Sequence, residues 1–582
     1  MNIKQRTTPV HLPHLPGISP LLQRIYAARD VLDESQLDKR LQALLPFNTL
    51  TDIDKACARL EEALRAQQRI LIVGDFDADG ATSSALAVAA LRAMGALHVE
   101  FLVPNRFEFG YGLTPGIINL AKQWHPDLII TVDNGIASIE GVDAANEAGI
   151  DVLVTDHHLP GDTLPKACAI VNPNQVGCLF PSKAIAGVGV IFYVMLGLRR
   201  HLIATDWFVS QNSPPPNMAQ FLDLVALGTV ADVVPLDQNN RILVHQGLER
   251  IRQGLCRPGI QALIKIAGRQ QEKLRESDLG FAIAPRLNAA GRLDDMSLGI
   301  DCLLSEGVEM ASELAGQLDA LNVERRQIES EMSEQAMLAL SQFTINTTEP
   351  SMPVALCLMD KTWHQGVIGI LAGRLKERYH RPVIAFAKAD ETELKGSARS
   401  IPGLNIRDVL AAIDTDHPGL IKKFGGHAMA AGLTLHPEAF AAFQTALVSE
   451  VSKHLDESQC KGMLLSDGSL SADALSLTLA TELQRAGPWG QLFPEPLFDD
   501  TFEILEQRIV GKNHLKLTLV RAFGGQPLDA IAFNIDLKAW PNHRARYLHA
   551  AYKLDINEYN GRTRLQLLVS AMKVSSEEGA VG

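Results

Sequence analysis

Asp156-His157-His158 places two imidazoles directly after a carboxylate, and the apolar stretch Ile150-Asp151-Val152-Leu153-Val154-Thr155 leads into it. That stretch reads as a short buried strand, so the triplet falls at a strand's C-terminal end, where open α/β sheets collect ligands and metals. Two more acidic strand ends precede it. Ile70–Gly74 runs into Asp75, Asp77 and Asp79, and Leu128–Val132 runs into Asp133. A fourth apolar stretch, Leu222 to Val230, also reads as strand-like and ends at Asp232. Taken singly, each has an ordinary explanation, since an Asp after a strand is commonly a helix N-cap or turn residue. Asp75–Gly80 has part of a calcium-loop pattern, but the twelfth loop position is Leu86 where such a loop needs Glu. Together the pieces say more. Clustered carboxylates repel one another and are costly to bury unpaired, and a divalent cation removes both costs. Carboxylate and imidazole donors without thiolate suit magnesium or manganese, the imidazoles tilting toward manganese. The donors exceed the need of one octahedral ion, so two ions sharing a bridging carboxylate fit better. Such pairs stabilise the attacking and leaving oxygens of phosphoryl transfer, and the expected chemistry is hydrolysis of a phosphate ester.

A second set of residues lies downstream. Lys395-Gly396-Ser397-Ala398-Arg399-Ser400 puts a guanidinium among small residues, and Lys423-Phe424-Gly425-Gly426-His427-Ala428 puts an imidazole after paired glycines. Glycines let backbone amides approach an oxyanion closely, and the Arg fork matches phosphate. Upstream, His364-Gln365-Gly366-Val367-Ile368-Gly369 begins a helix that reaches Arg374. Tight turns in an unrelated lobe are the plain alternative.

The elements that must position these groups follow from the pattern. From about 54 to 240 strands and helices alternate, which implies a parallel sheet. Asp54 to Gln67 and Ala81 to Met94 read as helices around the first strand, with Gly80–Ser84 opening the second. Residues 240 to 342 turn helical, and Gln317 to Phe343 carries no Pro or Gly, so Gly307 to Phe343 reads as one long connecting helix or two broken ones. Asn346 to Pro353 is the expected boundary before a second α/β unit. Five strands are expected after about 495, at Phe502–Val510, His514–Val520, Leu528–Ile535, Tyr547–Ile556 and Arg564–Val569; they fit a small barrel of OB type. Every candidate ligand precedes Gly462, so the barrel reads as a separable capture module. Its candidate contacts are Lys512, Lys516, Arg521, Tyr552, Tyr559, Arg562 and Arg564.

Composition bounds the rest. With 582 residues, several domains are expected. Seven scattered cysteines without a CxxC pair suit a reducing cytoplasm and argue against zinc or iron–sulfur sites. No secretory signal pattern is read in Met1–Gly17, and the longest uncharged apolar run, Ala184 to Leu198, is short of a membrane span and reads as a buried helix. The net charge of −13 speaks against nonspecific nucleic-acid binding, yet Thr501 to Met572 holds ten Lys/Arg against six Asp/Glu.

On these residues the chain resembles the DHH phosphoesterase superfamily, and within it the bacterial single-stranded-DNA-specific exonucleases. Asp75–Gly80, Asp133-Asn134-Gly135, Asp156-His157-His158 and Gly228–Asp232 resemble its four motifs, and Gly425-Gly426-His427 that of the DHH-associated domain. Pro285–Arg292, Gly487–Gly490 and Pro494-Glu495-Pro496 resemble further segments of the exonuclease branch. The resemblance implies an α/β fold with two catalytic lobes joined by a long helix, plus a C-terminal all-β OB barrel. It divides the chain into an extension (1–50), a DHH catalytic domain (51–240), a helical region (241–345), a DHH-associated substrate-binding domain (346–455) and an OB domain with tail (456–582). It implies Asp77, Asp79, Asp133, His157 and Asp232 as core ligands of Mg2+ or Mn2+, with two ions per site. Asp75 and His158 would be ligands or partners of ligands. Arg374, Arg399, Gly425, Gly426 and His427 would bind or polarise phosphate, His427 with a catalytic part. The implied activity is 5′→3′ exonucleolytic hydrolysis of single-stranded DNA to 5′-mononucleotides in DNA repair and recombination, with a single-strand DNA-binding protein and a helicase as partners. The small-molecule branch carries a histidine four residues before the first ligating Asp, and here that position is Val73. A small-substrate enzyme needs no strand-capture barrel, and a non-catalytic scaffold has no reason to keep the clustered charges.

Overall fold

The computed structural model describes residues 2–9, 12–105, 112–346, 352–456, 460–522, 524–559 and 561–575. The chain forms two compact units: Gln5–Asn322 with Ser466–Gly582, and Val323–Leu465 with the first four residues. The expected boundary at Asn346 to Pro353 falls largely on 347–351, outside the described residues.

A five-stranded parallel sheet organises the larger unit, in the order Val99–Leu102, Ile70–Gly74, Leu128–Val132, Asp151–Thr155, Ala169–Val171. Its register pairs Gly74 with Val132, Val132 with Thr155, and Thr155 with Val171. The strands therefore end flush, and Asp75, Asp133 and Asp156 are each the first residue past the edge. Strand alternation splits the core in two. Ile70, Ile72, Ile130 and Leu153 face helices Ile53–Arg65, Ala78–Ala93 and Gly187–Ala204. Leu71, Val73, Ile129, Val152 and Val154 face helices Pro115–Ala121 and Ile139–Glu147. Both faces are covered, which is why the strands read as unbroken apolar runs.

Helix Gly187–Ala204 is long and apolar enough to cross a membrane, but it packs against Ala78–Ala93 and Leu222–Ala231 and is two-thirds buried in the protein. The run Leu222 to Val230, expected as a strand, is a helix, Leu222–Ala231. A continuous apolar run carries no period that separates helix from strand. This one is buried on almost all sides, so it has no polar stripe to show its helical turn. Residues 238–304 are helical, and a single helix, Val308–Asn346, carries the chain from the larger unit into the smaller.

The smaller unit holds a mixed sheet in the order Lys423–Gly426, Ala430–Leu435, Leu394–Arg399, Val383–Lys388, Leu356–Asp360. The two glycine-rich passages are thus edge and inner strands rather than loops. Phe498–Val510, His514–Arg521, Leu528–Ala532, Arg562–Ser575 and Tyr547–Tyr559 close into a barrel. That barrel's interior is continuous with the core of the sheet domain. Phe498, Phe502, Leu517 and Tyr552 belong to the same apolar cluster as Ile25, Leu60 and Leu86. Trp489 stacks on Phe493 at 5.1 Å and on Tyr26 at 6.1 Å, and its indole N–H donates to the Leu483 carbonyl at 2.9 Å. The N-terminal extension, the sheet domain and the barrel are therefore one packed body, and the barrel is not a detachable module.

Candidate metal centre

Flush strand ends bring the acidic residues together. Ligand atoms of Asp75, Asp77 and Asp133 lie within 4.8 Å of one another, as do those of Asp79, His157 and Asp232, and those of Asp133, His157 and His158. His157 Nε2 is 3.0 Å from Asp133 Oδ1 and 3.5 Å from Asp232 Oδ2. All seven sequence-predicted ligands thus meet at one edge of the sheet. Asp232 arrives differently from the expectation, as the residue that closes helix Leu222–Ala231.

Local backbone explains how each is held. Asp77 is the N-cap of helix Ala78–Ala93, and its Oδ1 accepts the amides of Asp79 at 2.9 Å and Gly80 at 3.0 Å. The helix starts earlier than expected because this cap satisfies its first amides. Asp79 lies in its first turn and accepts the amides of Gly187 (2.7 Å) and Val188 (3.0 Å). Asp133 adopts φ +62°, a left-handed conformation that Asp tolerates better than most residues. Val233, next to Asp232, has φ +59°, which a β-branched residue adopts only when its surroundings force it. Two glycines leave room for the carboxylates. A Cβ at Gly187 would lie 2.6 Å from Asp133 Oδ1, and one at Gly228 would lie 2.7 Å from Asp79 Oδ1.

The electrostatics match this crowding. Burial, then the charge of Asp77, pushes the Asp79 carboxyl up, against the pull of the Val188 and Gly187 amides. Burial and the charges of Asp79, Asp77, Asp232 and Asp75 push Asp133 well up, and Asp232 rises for the same reasons. His158 titrates above its ordinary value: burial lowers it, but the hydrogen bond and charge of Asp156 outweigh burial. The donor set fits a hard divalent cation, with carboxylates and imidazoles, no thiolate, and a negative field that only positive charge relieves.

Sequence reasoning gave no positioning part to the residues that aim these candidate ligands. Asp156 is fully buried; its Oδ2 accepts the Ile136 amide at 2.9 Å, and its Oδ1 lies 2.8 Å from His158 Nδ1. Asn134 Nδ2 donates to the carbonyls of Val73 and Val132, bridging two strands beneath the site. Asn172 and Asn174 donate to the carbonyls of His158 (2.9 Å) and His157 (2.6 Å). The Asn-Pro-Asn that follows strand Ala169–Val171 could have signalled them. Asn288 Oδ1 accepts the Ala78 amide at 2.8 Å, which gives the Pro285–Arg292 segment a supporting part.

In the smaller unit, Arg399 ends its strand against the start of helix Ile368–Tyr379, where a Cβ on Gly369 would lie 2.9 Å from Nη2. The guanidinium and the positive end of that helix reinforce each other. Arg399 pairs in register with Ala430, three residues after His427, so both lie at one end of the sheet. Gly426 has φ +140° and no room for a Cβ, 2.5 Å from the Ala430 carbonyl; it makes the turn that carries His427. Gly425 pairs with Gly432. Arg374 stands apart: it forms an ion pair with Glu329, which also holds Arg325.

The barrel candidates divide. Lys512, Arg562 and Arg564 are exposed and Lys516 is half-buried. Tyr552 is core, its hydroxyl donating to Asp500 at 2.6 Å, and the half-buried Arg521 pairs with Asp500 at 2.9 Å. The Tyr559 side chain lies outside the described residues.

A parallel sheet with Asp-rich strand ends, a second lobe carrying Gly-Gly-His and a fused barrel define a DHH-type protein. Residues 69–229 match the DHH family, N-terminal domain, 351–453 the DHHA1 domain, and 466–571 the RecJ OB domain. The chain is 53% identical over 565 residues to the single-stranded-DNA-specific exonuclease RecJ of Dickeya dadantii, covering 97% of this chain and 98% of that protein. It is 52% identical over 552 residues to RecJ of Escherichia coli, covering 95% of each. The crystal structure of Thermus thermophilus RecJ in complex with Mn2+ superposes with a TM-score of 0.78 at 30% identity, covering 96% of this chain and 76% of that one. The chain belongs to the RecJ family.

Proposed function

We propose that the chain is a metal-dependent exonuclease that degrades single-stranded DNA from its 5′ end to 5′-mononucleotides, using two magnesium or manganese ions. The observation that carries this reading is the convergence of Asp75, Asp77, Asp79, Asp133, His157, His158 and Asp232 at the C-terminal edge of one sheet. Relatives covering nearly the whole chain are named single-stranded-DNA-specific exonucleases, and Thermus RecJ has been crystallised with Mn2+ and with Mg2+.

Asp77, Asp79, Asp133, His157 and Asp232 would hold the ions, with Asp75 and His158 beside them. Bound there, divalent ions supply positive charge to the scissile phosphate and acidity to the attacking water. The chain's own groups do the rest. The Gly187 and Val188 amides orient Asp79, and Asp156 orients His158. Arg399, at a helix N-terminus, would grip a substrate phosphate, and His427 would donate to the developing oxyanion. Arg374 would contribute only on leaving Glu329. Lys512, Lys516, Arg562 and Arg564 would meet the strand backbone. A single-strand DNA-binding protein and a helicase would deliver the substrate, in cytoplasmic repair and recombination; seven cysteines, none of them in a disulfide, suit that compartment.

The test is digestion of single strands labelled at either end, with Mg2+ or Mn2+. Early release of the 5′ label as a mononucleotide, with duplex DNA spared, is the expected result. Internal cleavage, or early release of the 3′ label, would overturn it.

A further inference from the structure

A cavity of about 180 Å3 opens in the larger unit between the N-terminal segment, helix Pro20–Ala27 and the turn Asp467–Ser469. That is several times the ~30 Å3 share of a water molecule. Its lining includes Arg6, Arg24, Gln5, Thr8 and Ser469, and its one carboxylate is Asp467. That carboxylate is already engaged. Arg29, buried like Asp467 itself, takes both oxygens at 2.8 and 2.9 Å, and the Leu497 amide donates to Oδ2 at 3.0 Å. Arg6 is left at 3.7 Å from Oδ1, too far for a hydrogen bond. Its Nε is buried and makes no hydrogen bond among the described residues. Burial, then the charge of Arg29, lowers the Arg6 pKa, as expected of a cation short of compensation. Arg24 donates through Nη2 only to the Asp467 backbone carbonyl, at 3.1 Å.

Three guanidinia thus meet at one residue, Arg29 and Arg6 at the carboxylate of Asp467 and Arg24 at its backbone carbonyl. Gly468, at φ +89°, sets the opposite wall. A Cβ there would lie 3.6 Å from Gln5 Nε2 and 3.9 Å from Arg24 Nη2, so both donors face the same point. Surplus buried cations are costly unless an anion compensates them, and a tetrahedral oxyanion matches guanidinium forks. We propose that this cavity is a phosphate-binding site for the terminal phosphate of a small molecule, formed by Arg6 and Arg24 with Gln5, Thr8 and Ser469, and separate from the metal centre. Its occupation ties the N-terminal segment to the turn that leads toward the barrel.

Thermal unfolding of the full chain, with metal chelated, tests the site. Inorganic phosphate is compared with chloride at equal ionic strength, in the wild type and in Arg24→Gln and Arg6→Gln. Ligand binding to the folded state raises Tm with concentration. The expected result is a rise of a few degrees in the wild type that is lost in both variants. Arg24 makes one backbone hydrogen bond, so Arg24→Gln remains folded if Arg6→Gln does not. Thymidine 5′-monophosphate forms a second arm. An equal rise assigns the site to nucleotide monophosphates, and a rise with inorganic phosphate alone assigns it to the free anion. No rise in the wild type, or the same rise in Arg24→Gln, overturns the proposal.

Discussion

The amide of Gly187 donates to Asp79 Oδ2 at 2.7 Å, joining residues 108 positions apart in the chain. The opening turn of helix Gly187–Ala204 thereby spends its free amides on a carboxylate. The same glycine lies against Asp133, where a Cβ would come within 2.6 Å of Oδ1.

Gly187→Ala is therefore expected to displace Asp79, Asp133 or both. A misplacement of about 1 Å costs on the order of 10²-fold in turnover. Steady-state kinetics on a single strand across a Mn2+ titration would measure it. Turnover near wild type would remove this contact from the site's architecture.

Asp77 has two parts that can be separated. Asn caps helices about as well as Asp, while Ala costs about 1 kcal/mol. Asp77→Asn should abolish cleavage with little change in stability, and Asp77→Ala should abolish it and also lower the denaturation midpoint. Equal stabilities for the two variants would contradict the cap seen at Asp79 and Gly80.

Asp156 is not itself a candidate ligand, but it fixes His158 through the contact between its Oδ1 and His158 Nδ1. Losing such a partner weakens metal affinity by about 10–100-fold. Asp156→Asn should need correspondingly more Mn2+ for half-maximal activity and recover at saturation. A loss that no Mn2+ concentration restores would give Asp156 a different part.

Glu276 offers a pH test away from the metals. It is half-buried and its Oε1 accepts the Trp489 amide at 2.8 Å. Burial raises its pKa above the unfolded value. Its contribution to stability is therefore full below the unfolded pKa and is lost as pH rises through the folded one. Glu276→Gln keeps an acceptor and removes the charge, so it should raise Tm at pH 8 and change little at pH 4. The same difference at both pH values would rule out ionisation as the cause.

The barrel's part in capture needs surface charge reversal, because removing residues after Gly462 would strip Trp489, Phe493 and the barrel from a shared core. Lys512→Glu, Lys516→Glu and Arg564→Glu together should weaken binding of a long single strand. The log K against log salt slope should flatten by roughly 2, at about 0.7 per lost phosphate contact. An unchanged slope would place the strand elsewhere.

The acidic strand ends were legible because each carboxylate follows an apolar run, and the flush register turns that pattern into a cluster. Asp232 was found for a partly wrong reason, since an all-round apolar segment does not reveal whether it is a strand or a helix. The amides of Gly187 and Val188 were invisible because backbone donors leave no side-chain signature and act on a residue far back in the chain. Arg374 shows what local pattern leaves out: its residue type suits phosphate, and its ion pair with Glu329 depends on packing that no local pattern shows. Tyr552 likewise satisfies the composition of a binding groove while lying in the buried core.

Gly187 and Gly228, each pressed against the carboxylate of a candidate ligand, also give a way to read descent. A lineage that kept this fold but gave up the chemistry would no longer need its carboxylates there, and a methyl group could then fill either gap. Alanine at 187 or 228 in a related gene would thus mark a protein retired from catalysis, even where every Asp and His of the motifs still stood.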